Sequence, residues 1–486
     1  MHLLLLRRML MYKSQPYVQI SFEDFNQPLG LHMNPENRWV KKAEQIPWGQ
    51  LEKDYAKNFP NPKGNVAKSL RMALGALLIQ KEYHYSDEET VAQIQENPYL
   101  QFFVGLPGYQ EEAPFEASSM VHFRKRLDEV TLMQINEKIL SYNQKDDDDP
   151  TPPTDGSNSG TLTLDATCAP QNIKYPTDTE LLNDARTHAE KIVDSLCQDY
   201  QWKKPRIYRQ LAQKVYLNIV RRKKKAKKWL RKQIRKMLGF VKRDIQVIQK
   251  FLDRGAQLTE QQAIWWTTIQ NIYEQQRYMY DNHTHSVQDR IVSFHQPWLR
   301  PIVRGKAKAS VEFGAKFDMS LDQGIARLEY SSFDAYNESD ILISTIRRYH
   351  DRHGNYPERV LADKIYRNRK NLNYCKQRGI RLSGPALGRP KKNEVRDKTI
   401  DEQDNADRVA VERGFSQLKG CFGADLITTK RKDTTLSSIA LSVLALNLSK
   451  LTADALRQIL SNVFKSRQIK NWTLYFSFFT KFTIIQ

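Results

Sequence analysis

Arg408-Val-Ala-Val-Glu412-Arg-Gly-Phe-Ser-Gln-Leu-Lys419 reads as a helix that sets a carboxylate between two cations on one face. At about 100° per residue, Glu412 lies roughly 40° around from Arg408, and Lys419 returns to within about 20° of it. Val411, Phe415 and Leu418 fall at helical spacing on a different side, so the segment can bury an apolar face and turn the charged stripe toward a cleft. A carboxylate suits a divalent cation, and flanking Arg and Lys suit phosphate oxygens. Alone, the pattern equally describes a solvated amphipathic helix with i,i+4 pairs.

Two further acids give the stripe a chemical context. Thr161-Leu-Thr-Leu-Asp165-Ala-Thr reads as a strand with Leu162 and Leu164 on one face and Asp165 on the other. Arg359-Val-Leu-Ala-Asp363-Lys-Ile-Tyr366 follows the turn signal Gly354-Asn-Tyr-Pro357 and places Asp363 at a strand's polar end. Mg²⁺ takes oxygen ligands and only one or two carboxylates per ion, so two strand-borne Asp and one helix-borne Glu suit a two-metal phosphoryl-transfer site.

These residues resemble the DDE transposases of bacterial insertion sequences, within the insertion-sequence-five family and the group marked by Tyr-x2-Arg-x3-Glu-x6-Lys. Arg408, Glu412 and Lys419 match the last three positions, whereas the Tyr position is Asn405. Further resemblance lies in Arg290-Ile-Val-Ser-Phe-His-Gln-Pro297, Pro301-Ile-Val-Arg-Gly-Lys-Ala307, Val311-Glu-Phe-Gly-Ala-Lys316 and Ser383-Gly-Pro-Ala-Leu-Gly-Arg-Pro390. The resemblance implies an RNase H-like catalytic fold with Asp165, Asp363 and Glu412 as the DDE residues. They would bind two Mg²⁺ ions, with Mn²⁺ as the alternative metal.

The 486 residues carry a formal net charge of +21 and are 40% hydrophobic, which favours a folded chain with a polyanionic partner. Cys168, Cys197, Cys375 and Cys421 are widely spaced without a C-x-x-C, so neither a disulfide framework nor a structural zinc site is expected. Leu3 to Leu6 precede Arg7 and Arg8, the reverse of a signal peptide's order, and the Trp472 to Phe479 run is too short to cross a bilayer. A cytoplasmic, nucleoid-associated protein without a membrane segment is expected. Met11 is an alternative start to Met1.

A helical N-terminal domain is expected over 1–145. Its apolar stripe is Leu70, Leu74, Leu77 and Leu78, the helical period continues over Glu88 to Phe103 and Ser118 to Ile139, and Ser118 and Ser119 are N-cap candidates. In the resembled family such a domain helps bind transposon ends, while packing or dimerisation is the alternative. An Asp/Pro/Gly linker follows at 146–160, then an α/β mixed-sheet catalytic domain at 161–455 and a C-terminal tail at 456–486.

A long helical insertion at about 171–296 interrupts the catalytic domain. Arg221 to Lys236 holds eleven Lys or Arg in sixteen positions, including Arg221, Arg222, Lys223, Lys224 and Lys225. Leu230, Ile234, Met237, Val241, Ile248 and Phe251 form a seam, Gly255 stops the helix, and Thr259 with Gln262 has capping-box form ahead of Ile264, Ile269 and Ile272. A helical hairpin with its basic face on DNA is expected. His283 and His285 read as surface residues. Strands at Val311 to Met319 and Ile325 to Ser331 follow, then a helix at Asp340 to His350. The strand Val360 to Asp363, a helix at Asn368 to Gln377 and the extended Ile380 to Leu382 come next, with the charged helix at Arg408 to Gly420 and an apolar helix at Leu436 to Leu448 last. Lys364, Arg367 and Arg369 after Asp363 are candidates for phosphate binding or plain surface charges, and Arg408 and Lys419 would hold phosphate.

The expected function is a transposase acting on double-stranded DNA, with terminal inverted repeats and target DNA as its partners and a homodimer as its assembly. A water molecule, then a DNA 3′-hydroxyl, would attack a phosphodiester in line. A DNA-binding regulator that no longer cuts, and a related nuclease, are the competing readings. Intact acids at all three positions argue against the first.

Overall fold

The computed structural model describes residues 20–57, 59, 67–144, 157–303, 311–385, 387 and 398–466. The leucine run at the start, most of the 146–160 linker, the Trp472 to Phe479 run, and parts of the Pro301 to Ala307 and Ser383 to Pro390 motifs lie outside them.

Among the described residues seven helices come first: α1 Arg38–Glu44, α2 Trp48–Ala56, α3 Leu70–Tyr83, α4 Asp87–Glu96, α5 Pro98–Phe103, α6 Ser119–Arg126 and α7 Glu129–Gln144. Local side chains set most of the starts. Ser69, Ser86 and Asn97 accept backbone N–H groups at the heads of α3, α4 and α5. The helical run expected from Glu88 to Phe103 is broken at Asn97, because a residue before proline avoids the helical region. The run from Ser118 to Ile139 is also two helices: Asp128 accepts the Thr131 N–H at 2.8 Å and starts α7. Ser118 occupies the N-cap position of α6 but makes no capping bond.

The sheet has six strands: β1 Thr161–Pro170, β2 Arg300–Val303, β3 Val311–Asp322, β4 Ile325–Ser332, β5 Arg359–Leu361 and β6 Arg381–Leu382. β1 is central. β3 runs antiparallel on one side of it, and β5 then β6 run parallel on the other. The far edge of β3 is shared, its first residues pairing with β2 and its later ones with β4, both antiparallel. Alternation along β1 is as the sequence predicts. Leu162 and Leu164 are buried against Leu342, Ile346 and Tyr349 of α12 (Leu342–His353) and Cys375 of α13 (Arg369–Gln377). The opposite face carries Phe317, Met319 and Leu321, which pack under α14 (Lys398–Phe422) and α15 (Lys432–Ser466).

That second core continues into the N-terminal helices without a break, from Phe25 to Ile139. Asn447 on α15 pins the junction: its side chain accepts the Ala326 N–H at 2.9 Å and donates to Ala326 O at 2.7 Å and Asn136 Oδ1 at 2.9 Å. The Lys432–Ala455 part of α15 is long and apolar enough to cross a membrane, but 72% of its most apolar window is buried here, as in a core helix.

The insertion is a four-helix unit with its own core, larger than the expected hairpin, which it contains: α8 Asp178–Asp199, α9 Arg209–Arg221, α10 Lys227–Asp253 and α11 Glu260–Asp281. α10 and α11 do form a hairpin, closed at Gly255 with φ +92° and restarted by the Thr259–Gln262 capping box. They need α8 because their apolar stripe is wide: Met237, Val241 and Ile248 are fully buried against Leu182, Ala189 and Ile192. Ile264 is 52% exposed, and the packed side of α11 is Ile269, Ile272 and Met279.

Candidate active site

The charged helix begins ten residues earlier than the sequence suggested, at Lys398. Asp404 and Asp407, upstream of Arg408, therefore lie within α14. Asp404 is 5% exposed and accepts from Arg381 and Arg359, while Asp407 accepts from Arg359 at 2.6 Å. Farther along, Val411, Gly414, Phe415 and Leu418 are buried on the sheet, with Phe415 edge-on to Phe317 at 6.0 Å. Gly414 allows the close approach: a Cβ there would lie 3.2 Å from Met319 Cε. Glu412 is left on the exposed side, as its spacing predicts.

Met319 is also the register partner of Asp165. Asp165 therefore points to the face that α14 covers. Its Oδ1 accepts the Ala166 N–H at 2.8 Å. Burial raises its carboxyl to about 6, opposed by that N–H and by Arg408, and assisted by the charges of Glu338 and Asp363. Asp363 follows the last residues of β5 and caps the short 3₁₀ turn Lys364–Tyr366, accepting the Lys364 N–H at 2.7 Å.

Arg408 connects the acids. Its guanidinium lies 3.9 Å from Asp363 Oδ1 and 3.6 Å from Glu412 Oε1, and its charge also acts on Asp165. Asp363 and Glu412 thus share one cation, and its charge also favours the ionised form of Asp165. Among the described residues, no group of three or more His, Cys, Asp or Glu lies close enough together to hold a metal ion. The donor set is nevertheless all carboxylate, which fits a hard cation such as Mg²⁺ or Mn²⁺.

Beneath the site lies a group that sequence reading missed. Asp318 on β3 is fully buried and accepts the hydroxyls of Tyr336 and, at 2.7 Å, Tyr366. Burial raises Asp318 to about 6 and also raises both tyrosines, each of which faces its charge. Tyr366 closes the turn that Asp363 caps, so its bond anchors the loop carrying the second acid. Glu338, paired with Lys316 at 2.6 Å, adds negative charge near Asp165. Nothing in their spacing marks these residues, because Asp318 on β3 meets Tyr336, Glu338 and Tyr366 from separate turns that only the fold brings together.

The basic residues divide. Arg367 donates to the carbonyls of Leu382 and, at 2.7 Å, Ser383, which holds its loop on β6. Lys364 and Arg369 are exposed, and Lys419 is half-buried. The basic run is not one helix: α9 ends at Arg221, and α10 resumes only at Lys227. Arg221, Arg222, Lys223, Lys224 and Lys225 are all exposed at this break, where like charges repel and few apolar contacts hold a helix. Arg222 stacks on Trp229 at 4.5 Å. His283 and His285 are exposed, as expected.

Residues 360–449 match the family described as "Transposase DDE domain", and residues 29–126 match "Transposase domain (DUF772)". The chain belongs to the DDE transposases. The first match includes Asp363, Arg408, Glu412 and Lys419, and the second spans α1 to α6 of this transposase. It is 31% identical over 180 residues to "Uncharacterized protein ORF8 in nfe locus" of Rhizobium meliloti, an alignment covering 36% of the transposase and 84% of that relative. No solved structure matches the transposase.

Proposed function

We propose that this transposase cleaves and rejoins DNA at Asp165, Asp363 and Glu412, on an RNase H-like catalytic domain. The carrying observation is that one cation, Arg408, reaches Asp363 and Glu412 and acts on Asp165, although the acids come from a strand, the turn after a second strand and a helix. The mixed sheet supports the fold reading, with the first acid on its central strand and the second at the end of its parallel neighbour.

The three carboxylates would hold two divalent ions, Mg²⁺ or Mn²⁺. When bound, such ions supply positive charge at the attacked phosphate and activate an attacking hydroxyl. Asp165, drawn toward its protonated form by burial, gains its charge as pH rises through about 6. Arg408 and Lys419, on the same helix as Glu412, would grip phosphate oxygens, and Arg408 would exchange its present carboxylate contacts for them. Arg221 to Lys225, exposed on the insertion, with Arg369, would follow the backbone of terminal inverted repeats and target DNA. The N-terminal helices would bind DNA ends, and the enzyme would work as a homodimer on DNA.

Glu412→Gln and Asp363→Asn test the assignment on a duplex carrying the element's end. Binding should persist while strand cleavage and strand transfer disappear, because the amides keep shape and lose charge. Cleavage at near normal rate in both variants would refute it.

A further inference from the structure

We propose that Arg359 is a positioning residue for the active site, tying together the three elements that carry Asp165, Asp363 and Glu412. The inference rests on those acids being the reacting site.

Arg359 reaches each element. Its Nε donates to Thr161 Oγ1 on β1 at 2.8 Å, its Nη1 to Asp404 Oδ1 at 3.1 Å, and its Nη2 to Asp407 Oδ2 at 2.6 Å. Thr161 and Arg359 are register partners on parallel strands, and each precedes its strand's acid by four residues. From β6, Arg381 donates to both oxygens of Asp404, with Nη2 at 2.8 Å from the Oδ1 that Arg359 also reaches. Two guanidinium groups face two carboxylates, so the group is neutral overall and offers no surplus charge to a DNA phosphate.

The burial of α14 shows what this network does. From Lys398 to Ala410, Asp404 is the helix's one buried residue; the apolar contacts begin at Val411. The first half of α14 is therefore docked by ion pairs, not by a hydrophobic face. Asp404, Arg408 and Glu412 are spaced i, i+4, i+8 and share a stripe. Fixing Asp404 on β5 and β6 fixes the rotation of α14, and with it the direction in which Arg408 and Glu412 leave the helix. Forked Arg–carboxylate pairs are directional, which a single ammonium could not reproduce.

The test compares Arg359→Gln, Arg359→Lys and Asp407→Asn with the native chain. Mn²⁺ binding to the DNA-free protein is read from the electron paramagnetic resonance of free Mn²⁺, beside the Mg²⁺ concentration for half-maximal cleavage, duplex-end binding and thermal melting. Arg359→Gln should weaken Mn²⁺ binding and raise the Mg²⁺ requirement by about tenfold, as losing a residue that orients ligands does. End binding should hold, excess Mg²⁺ should recover cleavage, and Arg359→Lys should fall between. If Arg359→Gln fails to fold, Asp407→Asn, which leaves the Asp404 contacts in place, should move both metal readouts in the same direction. Unchanged Mn²⁺ affinity and Mg²⁺ requirement in a folded variant would overturn the role. Glu412→Gln separates the two ideas: its loss of cleavage at every Mg²⁺ concentration upholds the acid assignment, whatever Arg359 does.

Discussion

Asp165 and Asp363 stand at matching steps along two adjacent parallel segments: β1 and β5 pair Thr163 with Leu361, and each acid is two residues further on, Asp165 still within β1 and Asp363 just past the end of β5. Side chains alternate faces with a period of two, so the pair of acids depends on parity as well as on position. Moving the first acid by one residue, in the double variant Asp165→Ala/Ala166→Asp, should turn it toward the Asp318 side of the sheet. DNA cleavage should drop by about 10²-fold or more and stay there, since small misplacements of reacting groups cost that much. A cleavage assay in which the double variant outperforms Asp165→Ala would contradict the facing.

Gly414 lets α14 lie close on β3, and a larger side chain must displace Met319 or Leu321. Gly414→Leu should destabilise the chain by roughly 1–3 kcal/mol, the usual cost of overpacking. Met319→Ala in the same chain should recover part of that stability. Urea denaturation of the two single variants and the double variant measures the coupling, and strict additivity would mean that the two side chains do not meet.

Asn447 satisfies both backbone groups of Ala326 and the side chain of Asn136 inside a continuous core. Asn447→Leu leaves those groups buried without partners, which costs about 1–3 kcal/mol for each unsatisfied group. Because N-terminal helices and sheet share that core, fluorescence and circular dichroism should report one shifted unfolding transition. Two separate transitions would show that the halves unfold independently.

Asp244 on α10 is fully buried, neither carboxyl oxygen has a hydrogen-bond partner among the described residues, and burial raises it to about 8, assisted by Glu190 and opposed by Arg186, Arg209 and Arg243. A folded-state value above the unfolded one, about 3.9, makes the unfolded chain release its proton first. Stability from this group is therefore complete below about pH 4 and declines as pH rises to about 8, where the decline levels off. Asp244→Asn should remove that decline, so melting temperatures of variant and native chains should diverge progressively from pH 4 to pH 8 in the variant's favour. Parallel curves would assign the pH dependence elsewhere.

Replacing Arg221, Arg222, Lys223, Lys224 and Lys225 with Gln should weaken binding to any duplex and flatten its salt dependence. Every DNA phosphate that these side chains cease to neutralise takes about 0.9 off the log–log slope. The residues are exposed and lie at or just beyond the end of α9, so melting temperature should change little. An unchanged slope would mark the run as a solvated surface.

Local periodicity and punctuation made much of this protein legible from residues alone. Leu162 and Leu164 opposite Asp165, the buried Val411, Phe415 and Leu418 beside an exposed Glu412, and the Thr259–Gln262 cap are all properties of a few neighbouring side chains. Backbone geometry alone turns such patterns into faces and ends.

The start of α14, the four-helix form of the insertion and the shared core around Asn447 depended on partners far away in sequence. Nothing near Asp404 in the sequence marks it as buried: its partners Arg359 and Arg381 arrive from two strands, 45 and 23 residues away. Asp318 looks like any strand residue until Tyr336 and Tyr366 enclose it. The sequence by itself determined which residues can be helix, strand, face and cap, since those follow from bonds between near neighbours. Tertiary structure alone decided which charges are buried and paired, because desolvation and ion pairing act through space and depend on what the fold brings alongside.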